Sequence, residues 1–472
     1  MENKICVECG FEESKDYIKY RSIVRLSEKE RRQFEELKRE RADSGLVCVY
    51  VNGKRYEIDP GHKSLDIPAF ISDNPILSIV PGWSDLAYEL GIEGQENKIS
   101  NLDEIRGFSK LTDLEKLRIE GHNISDISQL RMLKELKMLD LQKNQIENID
   151  VLAELENLEE LNLSGNKIKD IRPLRNLKKL RKLVIGANRN IENLEELGNL
   201  ENLEELAIGG IVTRDISFLS KLKKLKKLFC FSARLEDISV VGELENLEEL
   251  TLSENNIKDI TPLSGLRKLN VLRMDGNNIK NIAPLSGLKK LEILSLENNQ
   301  IEDIKALAGL ENLRRLSLER NNIQDITPLQ KLMKLKRLDL GNNHIKNIYA
   351  VSKLTNLEEL SLRRNNITSL NAEGVRSEKM RFFSGVVDLF MSDKDAEDLK
   401  NRSHLLKLEK LQILDLSGNH IQDVRILTGM KGLKKVDIRN NPVENAELLT
   451  KRKGLKCFAG SDDEDIEIVI PI

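Results

Sequence analysis

One hydrophobic pattern returns every 22 residues along most of this 472-residue chain. A clean copy places leucines at Leu158, Leu161 and Leu163, an asparagine at Asn166 and a proline at Pro173. A repeat of this length predicts a solenoid, in which each unit buries its apolar residues against its neighbours. Fourteen copies open at Leu114, Leu136, Leu158, Leu180, Leu203, Leu225, Leu247, Leu269, Leu291, Leu313, Leu335, Leu357, Leu411 and Leu433, and a degenerate forerunner lies between Leu90 and Leu111.

The start of each copy has the period of a β-strand. Leu161 and Leu163 alternate with Glu160, Asn162 and Ser164, so the leucines point inward and the other residues point outward. Strands of successive copies are expected to pair in parallel, about 4.8 Å apart. The outward residues then form one long exposed sheet face.

Nearly every copy carries an asparagine where the chain leaves the strand. A buried amide both donates and accepts, so it can satisfy backbone groups left unpaired at the turn. We therefore interpret these asparagines as structural and not catalytic. The predicted ladder comprises Asn144, Asn166, Asn188, Asn255, Asn277, Asn299, Asn321, Asn343, Asn365, Asn419 and Asn441.

The return segment to the next strand has only about a dozen residues. Proline falls at one phase of this segment, at Pro173, Pro262, Pro284 and Pro328. Proline is tolerated in a first helical turn but not inside a long helix. Short 3₁₀ turns are therefore expected on the convex side.

The pattern L-x-x-L-x-L-x-x-N-x-I-x-x-I resembles the leucine-rich repeat over residues 114–370 and 405–445. Because its convex return segment carries the pattern D-I-x-P-L, the repeat is similar to the repeats of the SDS22-like regulators of phosphatase-1 and of bacterial internalins. The resemblance implies an α/β solenoid, a right-handed superhelix with a concave parallel β-sheet and short 3₁₀ convex turns. It also implies a non-catalytic scaffold that binds a protein partner through the concave face, as a regulatory subunit of the SDS22 type does. The L-P-x-T-G sorting motif of surface-anchored internalins is absent.

Charge argues against two classes of partner. Lys and Arg number 75 against 78 Asp and Glu, a net charge of −3, so neither nucleic acid nor an anionic membrane is expected as the main partner. The N-terminal sequence has no apolar run typical of a signal peptide, and no later stretch reaches membrane-spanning length. Five scattered cysteines do not form a disulfide framework, so we expect a reducing, cytoplasmic compartment.

The repeat is broken around residues 184–235. Two successive copies replace the ladder asparagine with Ile211 and Ala233. Their outward strand positions, and those of the preceding copy, are apolar where other copies are polar. We predict that these residues anchor a protein partner, and the alternative is that drifted repeats pack on one another. The predicted anchor residues are Val184, Ala207, Phe229 and Phe231.

The outward positions that follow form a mosaic of charges. Alternating signs on neighbouring strands are explained by cross-strand pairing alone, and a polar rim of the binding surface is the alternative. The mosaic consists of Arg273, Asp275, Glu297, Arg315, Glu319, Arg337, Asp339, Glu359 and Arg363, of which Arg273, Asp275, Arg315, Arg337 and Asp339 are candidate partner-binding residues.

Three segments do not repeat. We assign residues 1–90 to an N-terminal α+β module or cap, 91–445 to the solenoid and 446–472 to a C-terminal cap or acidic tail. The insertion, residues 371–404, is expected as a helical hairpin on the flank of the solenoid or as a partner clamp. A capping box opens a helix at Ser27, and the pattern V-C-V-Y-V-N-G-K-R-Y-E-I at 47–58 predicts a hairpin. Ile466–Ile470 is expected as a further strand or a free tail.

The only metal-like motif is C-V-E-C-G at the N-terminus. Cys6 and Cys9 have the spacing of one half of a zinc ribbon, but the second half is missing. Two free thiols are therefore the simpler interpretation, and a zinc or redox module with the repeats as a targeting arm is the alternative. No catalytic motif stands out elsewhere, so we expect no cofactor and no enzymatic activity.

Overall fold

The computed structural model describes residues 47–51, 54–58, 63–68, 100–102, 111–370 and 404–460. Residues divide into two compact units, Met1–Ile211 and Val212–Ile472. Each unit contains a parallel β-sheet that follows the repeat. The fold is the leucine-rich-repeat solenoid that the sequence predicts.

The first unit opens with the predicted hairpin. Strands β1 (Val47–Val51) and β2 (Lys54–Ile58) pair antiparallel, with Val47 opposite Ile58. The parallel sheet begins at β3 (Ser64–Pro68), which pairs with the strand of the first full copy. The sequence placed a forerunner between 90 and 111, so a strand at this earlier position was not foreseen. The sheet continues through β4 (Lys116–Glu120), β5 (Met138–Asp140), β6 (Glu160–Asn162), β7 (Lys182–Val184) and β8 (Glu205–Ala207).

The second unit has ten parallel strands in chain order. Equivalent leucines lie side by side, as with Leu250, Leu272 and Leu294. Strands β4 to β17 match the fourteen predicted copies one for one. The strands of this unit are β9 (Lys227–Phe229), β10 (Glu249–Thr251), β11 (Val271–Arg273), β12 (Ile293–Ser295), β13 (Arg315–Ser317), β14 (Arg337–Asp339), β15 (Glu359–Ser361), β16 (Ile413–Asp415), β17 (Lys435–Asp437) and β18 (Lys456–Phe458).

The core consists of inward leucines and isoleucines, one layer per repeat. Leu161 and Leu163 are 1% and 0% exposed, which confirms the predicted strand phase. Full burial of such a side chain contributes about 1.5–3 kcal/mol. Because every repeat buries the equivalent leucines and isoleucines, the hydrophobic core runs continuously along each unit and has no single centre.

The convex returns are short 3₁₀ turns, as predicted. In most of them the first backbone N–H donates to the side-chain oxygen of an aspartate or asparagine two residues upstream, which explains the aspartate of D-I-x-P-L. Asp259 accepts from Thr261 N at 2.9 Å, and Asp303 accepts from Lys305 N at 2.8 Å. The hydrogen bonds that Lys305 donates to Asp303 hold the pKa of Asp303 below its usual range, and the backbone N–H of Lys305 contributes most to this shift. The turns are Ser128–Met132, Asp150–Glu154, Arg172–Asn176, Leu194–Asn199, Ser217–Lys221, Ser239–Glu243, Thr261–Gly265, Ala283–Gly287, Lys305–Gly309, Thr327–Lys331, Tyr349–Lys353, His404–Lys407 and Arg425–Gly429.

The asparagine ladder is present and joins each repeat that carries the asparagine to the preceding one. Asn299 Nδ2 donates to the carbonyls of Met274 and Leu296 at 3.0 and 3.1 Å. Its Oδ1 accepts from Ile279 N at 3.0 Å. Beside the copy that lacks the amide, Asn255 Oδ1 accepts two N–H groups, from Ala233 and Leu235, each at 3.0 Å. These contacts are those of a structural residue.

A second row of asparagines, which sequence reasoning missed, lies just before the opening leucine of five copies, at Asn157, Asn202, Asn246, Asn312 and Asn356. Asn246 Nδ2 donates to the carbonyl of Lys223 in the preceding repeat at 2.8 Å. Its Oδ1 accepts from Lys268 Nζ in the following repeat at 2.7 Å. The signal was visible in the sequence as the recurring N-L-E-E-L phrase.

The insertion does not interrupt the stack. Strands β15 and β16 pair directly, with Leu360 opposite Leu414. Asn419 donates to the Leu362 carbonyl at 2.9 Å and accepts from Ile367 N at 3.1 Å, as an ordinary rung does. Residues 371–403 lie outside the described part of the chain, so the expected helical hairpin stays a prediction.

The last repeat is covered by a short C-terminal segment. Helix α1 (Glu447–Thr450) leads to β18, which pairs with β17. Arg452 donates to the carbonyls of Met430 and Lys431 at 2.9 and 3.1 Å. The sequence placed the closing strand at 466–470, which lies outside the described residues, and did not foresee β18.

Candidate protein-binding surface

Each strand presents three outward side chains, which we name the first, middle and last columns of the concave face. In β10 these are Glu249, Thr251 and Ser253. The inward leucines between them fix the orientation, because side chains alternate along a strand. These three columns make up the exposed side of the sheet.

In the first unit, the predicted anchor residues Val184 and Ala207 occupy the middle column and are half-buried. Their last-column neighbours are Gly186 and Gly209, which carry no side chain. A Cβ on Gly186 would lie 2.6 Å from the Gly209 carbonyl oxygen, so the close approach of the two backbones requires glycine. The result is an apolar surface without protruding side chains in its last column, where no charged group is present.

In the second unit, Phe229 and Phe231 lie two residues apart at the start of the sheet. Phe229 is half-buried in the middle column, and Phe231 is 43% exposed in the last column. Of the five large apolar side chains exposed among the described residues, Phe231 alone lies on the concave face; the others are Met132, Val212, Met333 and Tyr349. On the next strand, the corresponding residues are Thr251 and Ser253, both polar.

Part of the charged mosaic is paired across strands, as the simpler interpretation expects. Arg273 lies 3.2 Å from Glu249, and Arg337 lies 3.2 Å from Glu359. Arg315 makes no ion pair with another described residue. A shorter ion pair, at 2.6 Å, joins Arg363 to Glu319 across the intervening strand β14.

Other carboxylates in the mosaic are bonded by serines. Asp275 accepts from Ser295 Oγ at 2.5 Å, and Glu297 accepts from Ser317 Oγ at 2.6 Å. Burial raises the pKa of Glu297, and the nearby Asp275 and Glu319 carboxylates add to the shift. Serine hydroxyls bond these two carboxylates, and neither forms an ion pair with another described residue.

The middle column of β14 to β17 is deeply buried. Asp339, Ser361, Asp415 and Asp437 lie side by side and are 7%, 1%, 2% and 1% exposed. Asp437 is paired with Arg439 at 2.6 Å. Burial raises the pKa of Asp339 to about 7 and also raises that of Asp415. The sequence analysis included Asp339 among the candidate partner-binding residues but missed Ser361 and Asp415. The burial and pairing of these side chains depend on residues in neighbouring repeats, which the pattern of a single repeat does not show.

The metal prediction falls outside the described residues, since Cys6 and Cys9 precede them. Within the described ranges, no cluster of three or more His, Cys, Asp or Glu is placed to hold a metal ion. The Cys230 thiol lies in the core, where burial raises its pKa to about 12. Over the same ranges, no helix has the length and apolar content needed to cross a membrane.

Comparison with known proteins identifies the repeat. The family model for leucine-rich repeats in two copies matches residues 134–176, 156–199, 245–287, 268–309, 289–331, 311–354, 334–373 and 409–451, just over half of the chain. No curated protein matches the sequence.

Solved structures agree with the family model. The internalin InlF from Listeria monocytogenes is 31% identical over 73% of this chain and 85% of its own, with a TM-score of 0.53. A leucine-rich-repeat protein of Leptospira interrogans is 23% identical over 74% of this chain and 85% of its own, with a TM-score of 0.62. The plant peptide hormone receptor RGFR1, solved in complex with RGF2, shares the fold at 23% identity and a TM-score of 0.53, over 75% of this chain and 64% of its own. From its repeats, its ladder and these matches, the chain belongs to the leucine-rich-repeat family.

Proposed function

We propose that this protein is a non-catalytic scaffold that binds a protein partner through its concave face. Leucine-rich-repeat proteins generally act as binding scaffolds, and RGFR1 was solved with a bound partner. The observation that carries the proposal is the exposure of Phe231 on a sheet face whose other outward residues are mostly polar.

An exposed phenylalanine on this face is an anchor and not a packing residue. Phe231 keeps 43% of its surface accessible, whereas a ring that filled a drifted core would be buried. Phe229, two residues before it, adds a half-buried ring on the same face. Aromatic rings inside a polar margin, here Thr251 and Ser253, have the arrangement of an interface hot spot.

The remaining predicted residues fit the same role within their own units. Val184 and Ala207 give the first unit an apolar surface beside two glycines. In the second unit, the charged residues form the polar rim of the binding surface: Arg273, Asp275, Arg315, Arg337 and Asp339. Rim charges contribute mainly to specificity and association rate.

The test compares proteins captured from lysate of the source cells by immobilised wild type and by variants. Phe229→Ala with Phe231→Ala should lose the specific partner, since truncating a hot-spot residue costs about 2 kcal/mol or more of binding. The matched control, Met132→Ala with Met333→Ala, removes two exposed apolar side chains away from the concave face and should retain it. Phe231→Ser is also made alone, because replacing the half-buried Phe229 can destabilise the fold and so reduce binding indirectly. Identical captured sets for all variants would overturn the proposal, as would a markedly lower melting temperature of Phe231→Ser.

The finer sequence predictions have separate tests. A phosphatase-1 regulatory role, implied by the SDS22-like resemblance, predicts that the purified chain binds the phosphatase catalytic subunit and that Phe231→Ser weakens this binding. The alternative, a zinc or redox module at Cys6 and Cys9, predicts stoichiometric metal or a redox-active thiol pair. A cytoplasmic location is tested by cell fractionation.

A further inference from the structure

The last two strands of the second unit place three basic side chains around one aromatic ring. Lys456 Nζ and Lys435 Nζ lie 5.1 and 5.6 Å from the centroid of the Phe458 ring, and the Arg439 guanidinium lies 5.5 Å from it. We name these four residues the C-terminal basic surface. An aromatic ring attracts cations at this distance but carries no net charge, so the positive charge of the surface remains.

Two of these three cations have no anionic partner among the described residues. Lys435 on β17 and Lys456 on β18 lie directly opposite each other in the first column, where like charges destabilise strand pairing. Neither forms an ion pair with another described residue, unlike the arginines of the mosaic that pair across strands. The carboxylate of β17, Asp437, is 1% exposed and is paired with Arg439 at 2.6 Å. A further carboxylate beside the two lysines would relieve their repulsion.

The chain runs from this surface directly into an acidic segment, residues 462–465. The described residues end at Gly460, and the residues that follow Ser461 are Asp462, Asp463, Glu464 and Asp465. Lys456 lies four residues before Gly460, about 13 Å away at roughly 3.3 Å per residue. Lys435 lies one strand to the side, about 4.8 Å from it. The five residues from Gly460 to Asp465 span up to about 17 Å when extended, so the acidic segment is long enough to return to both lysines.

We propose that the acidic segment binds the C-terminal basic surface of the same chain, with its carboxylates beside Lys435 and Lys456. Charge complementarity selects this occupant, because four successive carboxylates follow a surface on which two lysines lack an anionic partner among the described residues. Proximity favours it as well, since a short linker gives an effective concentration on the order of millimolar. An acidic segment of another protein would bind here only by displacing this one. The contact goes beyond the proposed function and involves neither Phe229 nor Phe231.

Such a contact depends on ionic strength. Lys456 is exposed and Lys435 is half-buried, so salt screens the attraction between these lysines and the carboxylates. The acidic segment should therefore be bound at low ionic strength and largely released at about 1 M salt, where the Debye length is about 3 Å.

The experiment treats the full chain with a water-soluble carbodiimide, which condenses a lysine amine with a carboxylate in contact with it, and identifies the linked peptides by mass spectrometry. We expect Lys435 and Lys456 to be linked to residues 462–465 at low ionic strength, and these links to be severalfold less abundant at about 1 M salt. The ion pair between Lys336 and Glu358, at 2.9 Å in the same unit, is the positive control for the reaction. A mixture of isotope-labelled and unlabelled chains separates links within one chain from links between two copies.

A second measurement does not require the lysine amines. A protease that cleaves after glutamate should cut at Glu464 severalfold faster in Lys435→Gln with Lys456→Gln than in wild type, with unchanged melting. The matched control, Lys431→Gln with Lys453→Gln, removes the same charge from two exposed lysines of the same unit and should leave the cleavage rate unchanged.

Other occupants of the surface appear as distinct results. Links from Lys435 and Lys456 to acidic residues of the insertion, or to residues 462–465 of a second copy, would overturn the proposal. So would the absence of links to residues 462–465 while Lys336 and Glu358 are linked. Equal cleavage at Glu464 in wild type and in both lysine variants would contradict it independently of the cross-linking chemistry.

Discussion

Replacing Asn299 by alanine tests the ladder most directly, because the structure shows which groups lose their partner. The carbonyl of Met274 keeps the amide of Asn277 at 3.0 Å, and that of Leu296 keeps the amide of Asn321 at 2.9 Å. Ile279 N–H loses its acceptor altogether. One buried donor is therefore left unpaired, and three carbonyls, of Met274, Leu296 and Glu297, each lose one hydrogen bond and keep another.

An unsatisfied buried donor costs about 1–3 kcal/mol. Repeat proteins unfold by propagation between neighbours, so the loss is best measured locally as well as globally. Hydrogen exchange of the Ile279 amide should accelerate by roughly 5–150-fold, since 1.4 kcal/mol is a factor of ten. Urea unfolding should shift in the same direction.

The control for this prediction lies one repeat further along, in the second asparagine row. Asn312 donates to the Lys289 carbonyl at 2.8 Å and accepts from Lys334, but its contacts are exposed to water. Asn312→Ala should therefore cost under about 1 kcal/mol, because water replaces the lost bonds. If Asn299→Ala exchanges and unfolds like wild type, or like Asn312→Ala, the ladder does not stabilise the stack in the way described.

Three further outcomes are expected. Burial raises the pKa of Asp339 to about 7, so the folded state binds more protons than the unfolded state between about pH 4 and 7. The free energy of unfolding should therefore fall as pH rises through this window, and Asp339→Asn should flatten that fall in melting curves. An equally steep pH dependence in the variant would contradict this prediction. Asp303→Ala should lower the melting temperature through loss of the cap on Lys305 N, while Asp303→Asn should melt like wild type. Elemental analysis of protein purified without chelator should find zinc only if Cys6 and Cys9 bind it, and zinc retained in Cys6→Ser with Cys9→Ser would contradict that assignment.

The repeat spacing determined the strand phase, the ladder and the convex turns. Leu161 and Leu163 point inward, Asn299 is a rung and Pro262 lies in a 3₁₀ turn, as the pattern predicted. These features depend on residues within one copy or at the same phase of the next. Hydrophobic periodicity and local backbone chemistry therefore suffice to predict them.

Only the tertiary structure decided where the stack begins, continues and ends, and which charges stay unpaired. Ser64–Pro68 joins the sheet from before the repeats, and Leu360 pairs with Leu414 across the insertion. Arg363 pairs with Glu319 across an intervening strand, while Asp339 forms no ion pair with another described residue. The 22-residue period cannot predict such contacts. They depend on side-chain length, on burial and on the residues of two or three strands together. The sequence therefore determines the repeat scaffold, and the three-dimensional arrangement determines which outward side chains pair with one another.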